Sequence, residues 1–168
     1  MKSSLRKFVL TIHITTSVGW LGAVVGFLIL VIAALSSQGD QTVRAAWISM
    51  ELIGWFAIVP FAVVSLLTGL AMSLGTSWGL FRHYWVIFKL LLTLIATVVL
   101  LLNMQTVGHL AGVAETGSTD LGYGLWGEVI HAGGGMVVLL LAIILSVYKP
   151  RGLTRYGLRK QYQQRNIV

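Results

Sequence analysis

The sequence predicts an all-α protein: a four-helix transmembrane bundle with both termini in the cytoplasm. Three observations carry this reading. Of the 168 residues, 57% are hydrophobic and only 10% are charged, whereas a soluble domain carries about 25% charged residues. So few charges cannot cover a water-facing surface, which excludes a soluble globular enzyme, a disordered chain and a coiled coil. Four stretches reach the roughly 20 apolar residues that a membrane helix requires. The basic residues also fall almost entirely on one side of those stretches.

The first span covers about 8–35, after the basic start MKSSLRK. Its apolar run is far longer than the roughly 7–15 residues of a signal peptide and holds His13, so it reads as a retained helix. The second span covers about 45–74 and carries Pro60 at its middle, where the missing N–H and the ring bend a helix. The third covers about 84–107 and the fourth about 125–148. The connectors are SSQGDQTVR, GTSWGLFRH and a longer segment from Gly108 to Gly124, whose Gly, Ser and Thr content reads as a loop. There is no internal repeat, and residues 1–168 form one integral membrane domain.

Orientation follows from the basic residues. With the N-terminus inside, Lys2, Arg6, Lys7, Arg82, Lys89, Lys149, Arg151, Arg155, Arg159, Lys160 and Arg165 share the cytoplasmic side, and only Arg44 lies outside. The acids Asp40, Glu51, Glu115, Asp120 and Glu128 fall toward the outer side. The formal charge of +7 therefore reflects membrane topology and does not point to nucleic acid. Trp47, Trp78, Tyr84, Trp85, Trp126 and Tyr148 lie near span ends, as an interfacial aromatic belt requires. The tail, 149–168, is expected to touch anionic headgroups, with Pro150, Gly152 and Gly157 weakening any helix in it.

Charged or titratable residues within hydrocarbon cost about 2.5–3.5 kcal/mol each on insertion scales, so each needs a reason. His13, Ser17 and Trp20 share one face of the first span, and Gly22 and Gly26 form a GxxxG pair expected to serve close helix packing. Lys89 lies five residues past Tyr84. Its stem either snorkels to the interface or brings its ammonium to a substrate carboxylate or propionate. On the fourth span Glu128 and His131 share a face, with Gly133–Gly135 allowing close approach by a neighbour or a flat ligand. Glu-x-x-His occurs in di-iron bundles, but those need two such motifs and two further glutamates. A mononuclear site from Glu51, Glu128 and His131, with His109 nearby, suits a divalent metal such as zinc, iron or copper. A hydrogen-bonded Glu–His pair acting as interhelical glue is the other reading of the same residues.

Depth bears on haem. At 1.5 Å per residue, His13 and His131 lie about 8 and 9 Å from opposite faces, leaving about 13 Å between them across a core of about 30 Å. One iron does not take both. A haem would use His13 with His83 or a weak ligand, or His131 with His109. The absence of cysteine excludes CxxCH attachment and iron–sulfur clusters.

Two segments carry a family resemblance. IHITTSVGWLGAVV resembles the opening helix of HemJ-type protoporphyrinogen oxidases and of the membrane domain of CopD-type copper resistance proteins, and YWVIFKLLLTLI resembles the Trp-x-x-x-Lys-Leu segment of the HemJ type. WGLFRHYWVIFKLLL and SVYKPRGLTRYG are similar to small four-helix membrane proteins of soil actinobacteria. The resemblance implies that His13 ligates haem b and that Lys89 faces a propionate or a substrate acid. The basic-Pro-Trp opening of the third HemJ-type helix is replaced here by Arg82-His83-Tyr84-Trp85. The implied function is a redox protein of the bacterial inner membrane, working with quinone or another membrane redox partner. The polar residues also admit a copper- or zinc-handling transport accessory, or a structural subunit without chemistry. The glycine stripes suit internal packing or a homo-oligomer seam equally. The sequence names no reaction.

Overall fold

The computed structural model describes residues 2–75, 80–117, 121–150 and 152–165, with backbone alone for 160, 161 and 163–165. Expectations placed on Trp78, Asp120, Arg151 and the side chains of Lys160 and Arg165 lie outside the described side chains. The elements are α1 (Ser3–Ser36), α2 (Asp40–Ile53), a π-helical turn (Gly54–Ile58), α3 (Val59–Gly75), α4 (Tyr84–Glu115), a single 3-10 turn (Gly122–Gly124), α5 (Leu125–Tyr148) and α6 (Arg155–Arg165). Among the described residues there is no strand. Ser3–Ser36, Asp40–Gly75, Tyr84–Glu115 and Gly122–Tyr148 are each long and apolar enough to cross a membrane.

These four antiparallel spans close into a ring. α1 packs on α2 and α3 on one side and on α5 on the other, and α4 completes the ring against the same three elements. Both chain ends therefore lie at one end of the bundle, called here the terminal end. The core runs along the axis through Trp20, Phe27, Trp47, Met50, Met104 and Leu110. The outside is apolar as well: Phe56 is 80% exposed and Ile130 73%. Such surfaces are solvated by lipid tails.

The second span is bent in a specific way. Proline lacks an N–H, and its ring crowds the carbonyl four residues back. The chain meets this just before Pro60 with a π turn in which the Val59 N–H reaches the Gly54 carbonyl, five residues away. A Cβ on Gly54 would meet the Sδ and Cε of Met104, so any larger residue there requires the Met104 side chain to move.

Two expectations about element ends are corrected. Segment 108–115 continues α4, because Val107, Leu110, Ala111 and Ala114 recur at helical spacing and are all buried. The tail is helical despite its glycines. Thr154 caps α6: its Oγ1 accepts from the Gly157 N–H at 3.1 Å, and its carbonyl accepts from Leu158 at 2.9 Å. Thr154 and Gly152 also pair with the start of α4, through Thr154 N–H to Arg82 O at 3.0 Å and Tyr84 N–H to Gly152 O at 3.3 Å. The Thr154 hydroxyl donates to the Phe81 carbonyl. A Cβ on Gly157 would stand 2.5 Å from the Arg82 carbonyl oxygen. Gly157→Ala is therefore expected to cost about 1–3 kcal/mol of docking and to release α6. Faster tryptic cleavage at Arg155 and Arg159 in the variant than in the parent checks this.

The glycine pair on α1 is also corrected. A Cβ on Gly22 or Gly26 would meet nothing within 4 Å, whereas one on Gly19 would stand 3.0 Å from Phe61. Close packing of α1 on α3 uses Gly19, and the GxxxG pair makes no intramolecular approach.

Candidate functional site

The polar residues within the spans fall into two groups, each beside its own cavity. The first lies toward the terminal end, in a cavity of about 520 Å³ lined by His13, Lys89, Arg6, Lys149 and Trp85 among apolar neighbours. Of the face predicted from His13, Ser17 and Trp20, the first two turn to α3, and Trp20 lines the second cavity. Ser17 Oγ lies 2.8 Å from Ser65 Oγ, and His13 Nδ1 lies 3.0 Å from both the Ser65 carbonyl and Thr68 Oγ1.

These bonds assign the tautomer. Ser65 O can only accept. Thr68 Oγ1 donates its own hydrogen to Val64 O at 2.6 Å, so toward His13 it also accepts. Nδ1 therefore carries the proton, and Nε2 keeps its lone pair. Lys89 Nζ, reaching across from α4, donates to that lone pair at 3.4 Å. A Cβ on Gly69 would stand 3.1 Å from His13 Cε1, so the ring is seated against bare α3 backbone. In this structure the Lys89 ammonium meets the His13 ring, a contact that neither reading of Lys89 had named.

The second group lines a cavity of about 250 Å³ between α4 and α5 that includes Trp20, Phe27, Asn103, Glu128, His131 and Gly135. Glu128 is 2% exposed, and its Oε2 accepts from Asn103 Nδ2 at 2.7 Å. His131 turns back on its own helix, with Nδ1 2.8 Å from the Gly127 carbonyl. The expected Glu–His hydrogen bond is thus replaced by an Asn–Glu bond joining α4 to α5. Asn103 is not among the polar positions singled out above, although an amide in hydrocarbon is itself a signal.

His13 and His131 occupy different cavities, in keeping with the depth arithmetic. Glu51 stands apart from the second group: its Oε1 faces the bare backbone of Gly108, 3.2 Å from where a Cβ would be. His109 is exposed on α4. His83 precedes α4, pairs with Leu153 and lies 6.5 Å, ring to ring, from Trp85. Among the described residues no three of His, Asp and Glu come together as a metal-binding group, so Glu51, Glu128 and His131 are not assembled into one site.

At the terminal end an imidazole oriented by a carbonyl lies among cations. A ligating histidine generally donates its other N–H to a carbonyl, which fixes the ring and raises its basicity, and His13 does this with Ser65. Arg6, Lys89 and Lys149 supply cations beside apolar walls, as a macrocycle with two carboxylates requires. No protein-family model, no curated protein and no solved structure matches the chain.

Proposed function

We propose that this chain is a multi-pass protein of the bacterial inner membrane, with both termini cytoplasmic, that binds haem b at His13 and exchanges single electrons with a lipid-soluble partner such as quinone. The observation that carries the proposal is the His13 arrangement. Its Nδ1–H is committed to Ser65 O, so the basic nitrogen is Nε2, which accepts from Lys89 here and which Lys89 would have to release to an iron in a cavity lined with cations.

Haem, when bound, supplies the one-electron couple. The chain's own contributions are separable. Ser65 and Thr68 hold the imidazole in one tautomer and one orientation. Lys89 and Arg6 balance carboxylate charge. Leu10, Ile14, Leu66 and Leu90 supply the apolar walls. The eleven-to-one split of basic residues supports the cytoplasmic placement of the terminal end.

The test is an absorbance spectrum of detergent-purified protein, oxidised and dithionite-reduced, with metal analysis of the same sample. About one haem per chain, with bands that shift on reduction, is the expected result. Colourless protein that also takes up no added haem overturns the proposal. Stoichiometric zinc or copper in colourless protein would favour a metal-handling role, and metal-free colourless protein a structural subunit.

A further inference from the structure

The cavity between α4 and α5 has no part in the His13 site, yet it combines a buried carboxyl with a rim that faces lipid. Ile95, Val99 and Ile130 line it and are 56%, 44% and 73% exposed on the outside of the bundle. A ligand reaches it from the hydrocarbon and not from water. This disfavours a hydrated ion or a polar solute and points to an amphiphile dissolved in the membrane.

Size and shape narrow the class. An apolar cavity of about 150 Å³ holds benzene. One of about 250 Å³ therefore has room for a substituted six-membered ring. Trp20 and Phe27 offer aromatic walls, while Gly134 and Gly135 leave one side without side chains, as a flat ring requires. Polarity narrows it further. Oε2 of Glu128 takes one hydrogen bond from Asn103 and the carboxyl keeps further acceptor capacity. His131 Nδ1 donates to Gly127 O, so in the neutral ring Nε2 is an acceptor too. Two acceptors beside a ring-sized apolar space call for a ring that donates.

We infer that this cleft binds the hydroxylated ring of a membrane-dissolved hydroquinone, its hydroxyls donating to Glu128 and His131. The inference deepens the redox reading by giving its lipid-soluble partner a site, and it rests on that reading only for the purpose of the binding. The binding itself requires no haem.

The experiment is anaerobic calorimetric titration of the purified full chain in nanodiscs with three decyl-tailed probes: a hydroquinone, its dimethyl ether and a primary amine. The expected result is saturable binding of the hydroquinone, with the ether weaker by about tenfold or more because both acceptors lose their donors. Glu128→Gln is expected to weaken the hydroquinone by about tenfold. Gly135→Leu supplies the control for folding. A Cβ there meets nothing within 4 Å and leucine favours helix over glycine, so the variant is expected to fold while filling the cleft and abolishing binding. Equal affinity for the ether, tighter binding of the amine, or undiminished binding in Gly135→Leu overturns the inference. His13→Ala separates the two proposals: hydroquinone binding that persists in this variant upholds the cleft whether or not the parent protein holds haem.

Discussion

Asn103→Leu is expected to destabilise the bundle by about 2–3 kcal/mol, far more than the hydrogen bond it removes is worth. Interhelical hydrogen bonds in membranes average about 0.6 kcal/mol in double-mutant cycles. The larger figure comes from what is left behind. Glu128 is 2% exposed, and Asn103 Nδ2, 2.7 Å from Oε2, is the donor that reaches it from α4. Without that donor the carboxyl stays buried and under-satisfied, which costs about 1–3 kcal/mol and more if it is ionised. Removing both partners removes the orphan. Asn103→Leu combined with Glu128→Met is therefore expected to lie within about 1 kcal/mol of the parent. Reversible unfolding in mixed micelles checks both. A double variant as unstable as Asn103→Leu alone would show that the cost arises from packing and not from the stranded carboxyl.

That pair also shows where sequence reasoning reaches its limit. The spans were legible because hydrocarbon imposes one rule on every residue it touches, and runs such as LLLTLIATVVLLL obey it without ambiguity. The ends of the elements were less legible. α4 runs on to Glu115 because Leu110, Ala111 and Ala114 pack inward, although the Gly and Thr beyond them look loop-like. α6 exists because Thr154 is both an N-cap and an anchor on the start of α4. The cap was readable three residues before Gly157, but the anchor joins residues 72 apart. Pro60 announced a bend, yet not that it would take the form of a π turn over Gly54–Ile58. The candidate site was legible in composition but not in pairing. His13 and Lys89 were both singled out, but that they meet is a property of how α1, α3 and α4 close into a ring. Periodicity places residues on a helix face and says nothing of which neighbour's residue lies opposite.

His13→Ala is expected to abolish haem uptake altogether, whereas Lys89→Met is expected to keep the same absorption bands and lose affinity by about tenfold, the worth of one charge-assisted hydrogen bond. The difference follows from position. His13 offers a lone pair whose direction is set by Ser65 O and Thr68 Oγ1 on the far side of the ring. Lys89 offers charge, which Arg6 and Lys149 beside the same cavity partly replace. Neither change is expected to unfold the bundle. Losing the imidazole leaves Lys89 a long stem that can return its ammonium to the interface, and losing the ammonium leaves His13 bonded to α3. Free imidazole added to His13→Ala is expected to restore haem uptake, because the space vacated by the ring is bounded by Gly69 backbone and keeps its shape. Haem content by pyridine haemochrome, with and without imidazole, reads all three. Parallel losses in stability for both variants, with no spectral change and no rescue, would make the His13–Lys89 contact a structural tie between α1 and α4.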